Sequence, residues 1–332
     1  MDTRATLKNI SRILNISIST VSRALKNHPD ISEQTKKKVM EAATMLDYEP
    51  NTYAISLRTD KRNLIGVMIP FISNFFYQSF ITAVEEEARK NDYSLLILQS
   101  NDNPDTELEN LKICRANRVA AVFVCISPQT RDIGPFLKFS QNNTPVVFFD
   151  KVPAFEACDK VCVADEAAAI IAAEEIVSRS RNKVLGLFGN PELSITRKRF
   201  AAFREIFRKN NQLNELEIAN VSSAEEAQRQ VQQSYSRKTR PDVIFSMSDE
   251  ILTGVMKAVQ LLKLKIPDEA AIITISNDGF FPRLFEPEIT YVETSGYELG
   301  KLTFKRMKDY LSGKTFVQEV ILPARLVPGK SI

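Results

Sequence analysis

TLKNISRILNISISTVSRAL, residues 6–25, holds two short amphipathic segments separated by a three-residue break. In the first, Leu7, Ile10, Ile13 and Leu14 fall at helical spacing and share one face. Asn15-Ile16-Ser17 interrupts the run, and Ser17 is a favourable N-cap for a second helix over residues 18–26. Helices this short bury little surface alone, so the pair needs a third. Residues 32–46 supply it, with Val39, Ala42, Ala43 and Leu46 as its inward side chains and Ser32 as its cap. Thr35 stands where a capping box would have Glu, so that box is incomplete. The expectation is a small all-α helix-turn-helix headpiece over residues 1–49.

A second helix in this arrangement enters the major groove of double-stranded DNA with its N-terminus leading. Ile18, Ser19, Thr20, Ser22 and Arg23 lie early in it and, with Thr6, are the candidate DNA contacts. Arg23 can bond guanine N7 and O6 together, worth about 1–3 kcal/mol over a wrong base. Thr20 and Ser22 suit phosphate contacts, which set register without reading sequence. A helical bundle that binds protein would carry the same local pattern.

The continuation, YEPNTYAISLRT at 48–59, narrows that choice. Pro50-Asn51 stops the chain, and residues 52–57 make barely two turns, a length marginal in water. Leu57 then needs something to receive it, and an apolar wedge between base steps of the minor groove is one such fate. A plain linker with Leu57 tucked under the next domain is the other. Asn51 and Leu57 join the DNA-contact candidates, within a hinge and linker over residues 50–62.

TVSRAL at 20–25, PNTYAISLRT at 50–59 and NLIGVMIPFISNFF at 63–76 stand in a familiar order and spacing. On these motifs, and from Thr6 almost to the end, the chain resembles the lactose-repressor/galactose-repressor (LacI/GalR) family of bacterial transcription factors. The resemblance implies a headpiece, a hinge helix and a ligand-sensing core similar to periplasmic sugar-binding proteins. It also implies a homodimer whose paired hinges insert a leucine, here Leu57, at the centre of a near-palindromic operator. Ile55 departs from the polar or basic residue many members carry.

Composition is compatible with this reading. The 332 residues exceed one ordinary domain, and 44% hydrophobic content supports sizeable cores. Residues 1–62 carry 11 Lys and Arg against 7 Asp and Glu, or +4, while the remaining 270 carry 33 against 34, or −1. Positive charge is thus concentrated in the expected headpiece, where phosphates would use it. No apolar segment follows Met1 and no run approaches the roughly 18 residues of a membrane span, so a cytoplasmic, nucleoid-associated protein is expected. Cys114, Cys125, Cys158 and Cys162 lack paired metal spacing, and neither metal nor cofactor is expected. Cys125 reads as a reduced core thiol, and a Cys158–Cys162 redox pair is the less favoured alternative.

Beyond Arg62, apolar strands alternate with amphipathic helices. Strands are expected at 64–69, 94–99, 120–125, 146–149, 184–188, 243–246 and 271–275, with helices at 75–91, 107–117, 166–180, 197–209 and 249–262. That alternation predicts parallel sheets covered on both faces, in two α/β subdomains. The resemblance supplies the interleaving of a two-lobed, periplasmic-binding-protein-like core over 63–332. One lobe takes residues 63–163 with 293–320, and the other 164–292 with 321–332.

Open parallel sheets place ligands beyond the carboxyl ends of their strands. There the sequence offers Asn74, Phe75 and Phe76, then Asp150, Arg197 and Arg199, Asp249, and Asn277 with Asp278. Mixed carboxylates, amides and guanidinium groups suit vicinal hydroxyls. Individually, Phe76 also fits a core, Arg199 a surface salt bridge and Asp249 a helix cap. The resemblance selects Asn74, Phe75, Asp150, Arg197, Asp249 and Asn277 as effector-binding. Against its pattern, a Pro after Asn74 is missing, Lys151 replaces a frequent Arg, Ser276-Asn277 replaces paired aspartates, and Thr294 replaces a glutamine.

The function expected is a DNA-binding transcriptional regulator, in repressor form, whose operator affinity answers to a small sugar-like molecule between the lobes. Control by a protein co-regulator or a nucleobase is the alternative. Catalysis is not expected: His28 is the only histidine, and no nucleophile elbow, phosphate-binding glycine loop or metal cluster appears. Leu57→Ala is expected to lower affinity for the specific operator while leaving ligand binding by the core unchanged. Equal loss of both, by DNA titration and calorimetry, contradicts the hinge assignment.

Overall fold

The computed structural model describes residues 5–48, 62–141, 144–155, 157–314 and 318–332. The chain divides into two compact units, Met1–Arg62 and Asn63–Ile332. Asn51 and Leu57 lie outside the described residues.

In the first unit, α1 (Leu7–Leu14), α2 (Ile18–Leu25) and α3 (Glu33–Met45) form where the apolar spacing places them. Each begins at a hydroxyl cap: Thr6, Ser17 and Ser32 accept from the backbone N–H groups of Asn9, Thr20 and Thr35. Asn15 ends α1 in the left-handed region at φ 51°, a conformation Asn tolerates better than most residues. Ile10, Val21, Ala24, Val39, Ala42 and Ala43 make the core, with Leu7, Leu14, Leu46 and Tyr48 around it. Ile13, grouped with the inward face by spacing, is 52% exposed. One helical step turns the chain about 100°, so Leu7, Ile10 and Leu14 define the buried stripe and Ile13 falls beside it.

The second unit contains two six-stranded sheets. The first joins β1 (Leu64–Ile69), β2 (Ser94–Gln99), β3 (Ala121–Val124), β4 (Val146–Phe149), β5 (Asp159–Val163) and β11 (Glu319–Leu322), in the order β11-β5-β4-β3-β1-β2. All its pairings are parallel. The second joins β6 (Val184–Phe188), β7 (Leu216–Asn220), β8 (Val243–Ser246), β9 (Ala271–Ser276), β10 (Thr290–Glu293) and β12 (Arg325–Val327), in the order β12-β10-β9-β8-β6-β7. Only β12 runs antiparallel to its neighbour.

Helices α4 (Phe75–Lys90), α5 (Pro104–Ala116), α6 (Gly134–Gln141) and α11 (Gly296–Leu311) accompany the first sheet. Helices α7 (Asp165–Ser178), α8 (Ser194–Lys209), α9 (Ala224–Tyr235) and α10 (Asp249–Leu262) accompany the second. Each sheet with its helices is a lobe. The chain passes between lobes after β5, after β10 and after β11.

Strands covered on both faces should be apolar throughout, and β3, β4, β6 and β8 are buried at every position. Aromatic stacking fixes helix against sheet in both lobes: Phe80 lies on Phe149 at 3.8 Å and Phe203 on Phe245 at 4.4 Å. The strands that sequence periodicity does not reveal are β5, β7, β10, β11 and β12. β7 is a half-exposed edge, so its alternation is weak.

β5 is concealed for another reason. It begins Asp159-Lys160, and both charges are buried. The Asp159 carboxylate accepts from Arg306 Nε at 2.7 Å and from the Gln318 N–H at 3.1 Å. One buried carboxylate thereby ties α11 and the approach to β11 onto β5. Asp159→Ala leaves the Arg306 charge without this counter-ion, so the expected loss of stability is about 3–5 kcal/mol. Denaturant unfolding of the core checks it; a loss below about 1 kcal/mol, the range of an exposed pair, contradicts this role.

Candidate functional site

Burial of Val21 and Ala24 turns the opposite side of α2 outward. Ile18, Ser19 and Arg23 are exposed there and Ser22 is half-buried, which makes one continuous row. Thr20 is placed differently. Its hydroxyl meets the Ser17 hydroxyl at 2.8 Å and its N–H donates to the same oxygen at 3.0 Å, so it closes the helix start. Thr6 likewise serves the start of α1, with its hydroxyl against the Asn9 side chain. An isoleucine, two serines and an arginine on one exposed helix face offer methyl contact, short hydroxyls and one guanidinium fork to a groove.

In the second unit a cleft of about 840 Å³ opens between the lobes, within the range usual for small-molecule sites. Its walls come from segments that leave the carboxyl ends of the strands: Asn74 and Phe75 after β1, Asp102 after β2, Asp150 and Lys151 after β4. The other lobe adds Thr196 and Arg199 from α8, Ser248 and Asp249 after β8, and Asn277 after β9. Five of the six sequence-predicted effector residues therefore line one cavity. Arg197 does not.

Asp150 is the fixed point of the first wall. It adopts φ 56° and is 9% exposed. Left-handed backbone in a non-glycine residue is uncommon and recurs at functional sites. The Tyr77 hydroxyl donates to Asp150 Oδ2 at 2.8 Å, and the Cys125 thiol lies 3.7 Å from the same oxygen. Burial pushes both the Tyr77 phenol and the Cys125 thiol well up, and the Asp150 charge adds to it, so both stay protonated donors. Beside them Lys151 Nζ pairs with Asp102 at 3.0 Å. Burial pulls the lysine down, but Cys125, Asp102 and Asp150 more than offset this and it remains a cation.

The facing wall has its own ion pair. Arg199 Nε donates to Asp165 at 2.8 Å and Nη1 to the Met247 carbonyl at 2.9 Å. Burial raises the Asp165 carboxyl, and the guanidinium works against that. Asp249 Oδ2 accepts from the Asn277 N–H at 3.0 Å. Its other oxygen, Oδ1, is buried without a partner, as is Thr196 Oγ1. Burial raises the Asp249 carboxyl as well. Asn74 is the N-cap of α4, accepting from the Phe76 N–H at 2.9 Å, and the half-exposed Phe75 ring meets Phe281 edge-on at 4.6 Å.

The exclusion of Arg197 is a correction with a geometric cause. The sequence reading starts its helix at Arg197, whereas α8 begins three residues earlier, at Ser194. Arg197, which the resemblance selects, lies on the outer side of α8, where its guanidinium donates to the carbonyls of Pro191 and Glu192. Thr196, Arg199, Phe203 and Phe207 form the buried stripe. The i+4 spacing of Arg199, Phe203 and Phe207 carried this signal. For Tyr77 and Asp102 no local pattern did, because their role depends on the neighbouring strand.

Comparison with known proteins agrees with both units. The pattern of bacterial regulatory proteins of the lacI family matches residues 6–51, and that of periplasmic binding protein-like domains matches residues 173–332. The NTD biosynthesis operon regulator NtdR of Bacillus subtilis is 24% identical over 97% of this chain and 98% of its own. The ribose operon repressor of Halalkalibacterium halodurans is 26% identical over 97% and 95%. Among solved structures, the lac repressor dimer bound to operator and the anti-inducer ONPF superposes with a TM-score of 0.86 over 99% of both chains, at 20% identity. The chain is thus similar over nearly its whole length to LacI/GalR-type bacterial transcriptional regulators, and its residues 6–51 match the lacI-family pattern.

Arg23→Ala is expected to weaken binding to the cognate site about ten- to a hundredfold, and binding to random duplex far less. Fluorescence anisotropy on the two DNAs reads the ratio; an equal drop on both would make Arg23 a phosphate contact only.

Proposed function

We propose that this regulator is a repressor that binds a near-palindromic operator as a homodimer and senses a neutral polyol, a sugar or sugar derivative, between its lobes. The observation that carries the ligand class is the charge arrangement of the cleft. Both of the described cations that line it centrally, Lys151 and Arg199, already hold a carboxylate, Asp102 and Asp165. Asp150 and Asp249 remain as acceptors on opposite walls, the second with a free buried oxygen. Such a cleft asks for hydroxyl donors and disfavours phosphate, whose charge would face both carboxylates. A relative named for a ribose operon, and a similar structure holding operator DNA with an anti-inducer, support the same assignment.

Within that reading Asp150, Asp249, Asn74 and Arg199 meet the ligand, and Phe75 offers a face to a ring. The exposed Phe75 ring also fits a nucleobase, which makes nucleosides the second class to test. Residues 1–49 read DNA, 50–62 form the hinge, and 63–332 sense and dimerise. Ligand shifts the population of lobe arrangements, and only by its differential affinity for them.

A thermal-shift panel of D-ribose, D-glucose, cellobiose, adenosine and glucose 6-phosphate tests the class. Saturable stabilisation by a neutral sugar is expected, and Asp150→Asn should abolish it while operator binding without ligand persists. Stabilisation by the sugar phosphate alone rejects the charge argument. Silence across the panel favours a protein co-regulator.

A further inference from the structure

Asn277 follows β9 in the second lobe, yet its side chain is committed to the first. Nδ2 donates to the Phe75 carbonyl at 3.4 Å, and Oδ1 accepts from the Gly296 N–H at 2.7 Å. Phe75 opens α4 and Gly296 opens α11. Meanwhile the Asn277 backbone N–H is held by Asp249 Oδ2 at 3.0 Å. A single residue, 6% exposed, thus connects a cleft carboxylate to the first turns of two helices across the lobe boundary.

The chemistry requires an amide. The Phe75 carbonyl needs a donor and the Gly296 N–H needs an acceptor, and a carboxamide presents both from one planar group. Aspartate, usual at this place in the resembled family, would set a carboxylate oxygen against the Phe75 carbonyl. The approach is also close enough to require glycine: a Cβ on Gly296 would lie 2.5 Å from the Phe76 carbonyl oxygen and 3.0 Å from Asn277 Oδ1. The Phe75–Phe281 ring contact at 4.6 Å spans the same boundary alongside it.

We propose that Asn277 is an interlobe latch, a positioning residue through which the state of Asp249 sets the hold between the second lobe and the starts of α4 and α11. The regulatory meaning rests on the reading that a small molecule occupies the cleft. Asp249 offers its free oxygen to that molecule and its bound oxygen to Asn277, so turning the carboxylate toward a ligand alters its grip on the latch. Asn277 lines the cavity, but its polar atoms serve the boundary.

Hydrogen exchange on the full chain, without any small molecule, tests this at the Gly296 amide, with the interior amides of α11 as internal reference. Asn277→Ala, which removes the oxygen that accepts from Gly296, is expected to accelerate exchange at Gly296 about five- to tenfold, the effect of one lost hydrogen bond, with the interior of α11 unchanged. Gly296→Ala should give the same local signature at its own amide. Asp249→Ala, which removes the acceptor of the Asn277 N–H, should also accelerate Gly296, and the double variant with Asn277→Ala should add little, because the two residues act in series. Unchanged exchange at Gly296 in Asn277→Ala overturns the latch. Uniform acceleration along α11 overturns it too, since that is general stability. A Gly296 amide indifferent to Asp249→Ala removes the link to the cleft. None of these readings uses a sugar, so failure of the ligand panel and failure of the latch are separate results.

Discussion

Parallel strands impose the constraint on which this core depends. Every strand of the first sheet runs the same way, and so does every strand of the second except β12. Their carboxyl ends therefore empty onto common edges, and the connecting segments collect there whatever their sequence. Polar residues unwelcome within a doubly covered sheet become available as a group at its rim. Asp150, Asp249 and Asn277 are each the first or second residue beyond such a strand or the first of the helix that follows.

Charge is then used economically within that rim. Lys151 with Asp102 and Arg199 with Asp165 are ion pairs internal to one lobe each, and their geometry does not wait for a ligand. A pair of this kind adds little net stability, because desolvation offsets most of the attraction. Its consequence is orientation: Arg199 is held also by the Met247 carbonyl, and Lys151 is kept beside Asp150. Buried donors and acceptors fixed in advance favour a ligand that matches them and exclude one that leaves them unpaired.

Much of the architecture was legible because its cause is local. Unbroken apolar runs such as VVFF at 146–149 and VLGLF at 184–188 have no other comfortable place than the middle of a covered sheet. The three headpiece helices were legible from spacing and hydroxyl caps alone. β5 escaped because Asp159 and Lys160 are charged, and a charge is tolerated inside only when a distant residue, Arg306, arrives to meet it. Arg197 was preferred to Arg199 on the resemblance, and only the packing of α8, which buries Thr196, Arg199 and Phe203, shows which of the two arginines faces the cleft.

By itself, then, the amino-acid order determined what short-range physics can decide: the periodicity of helices and strands, the helix-turn-helix, the concentration of positive charge near the start, and the polar residues after each strand. Tertiary structure alone decided which of those polar groups meet. Arg199 finds Asp165, Tyr77 finds Asp150, and Asn277 reaches Phe75 and Gly296 from far along the chain. Such partners are chosen by the stacking of helices on sheets, and a pairing between residues remote in sequence leaves no mark in the spacing of either one.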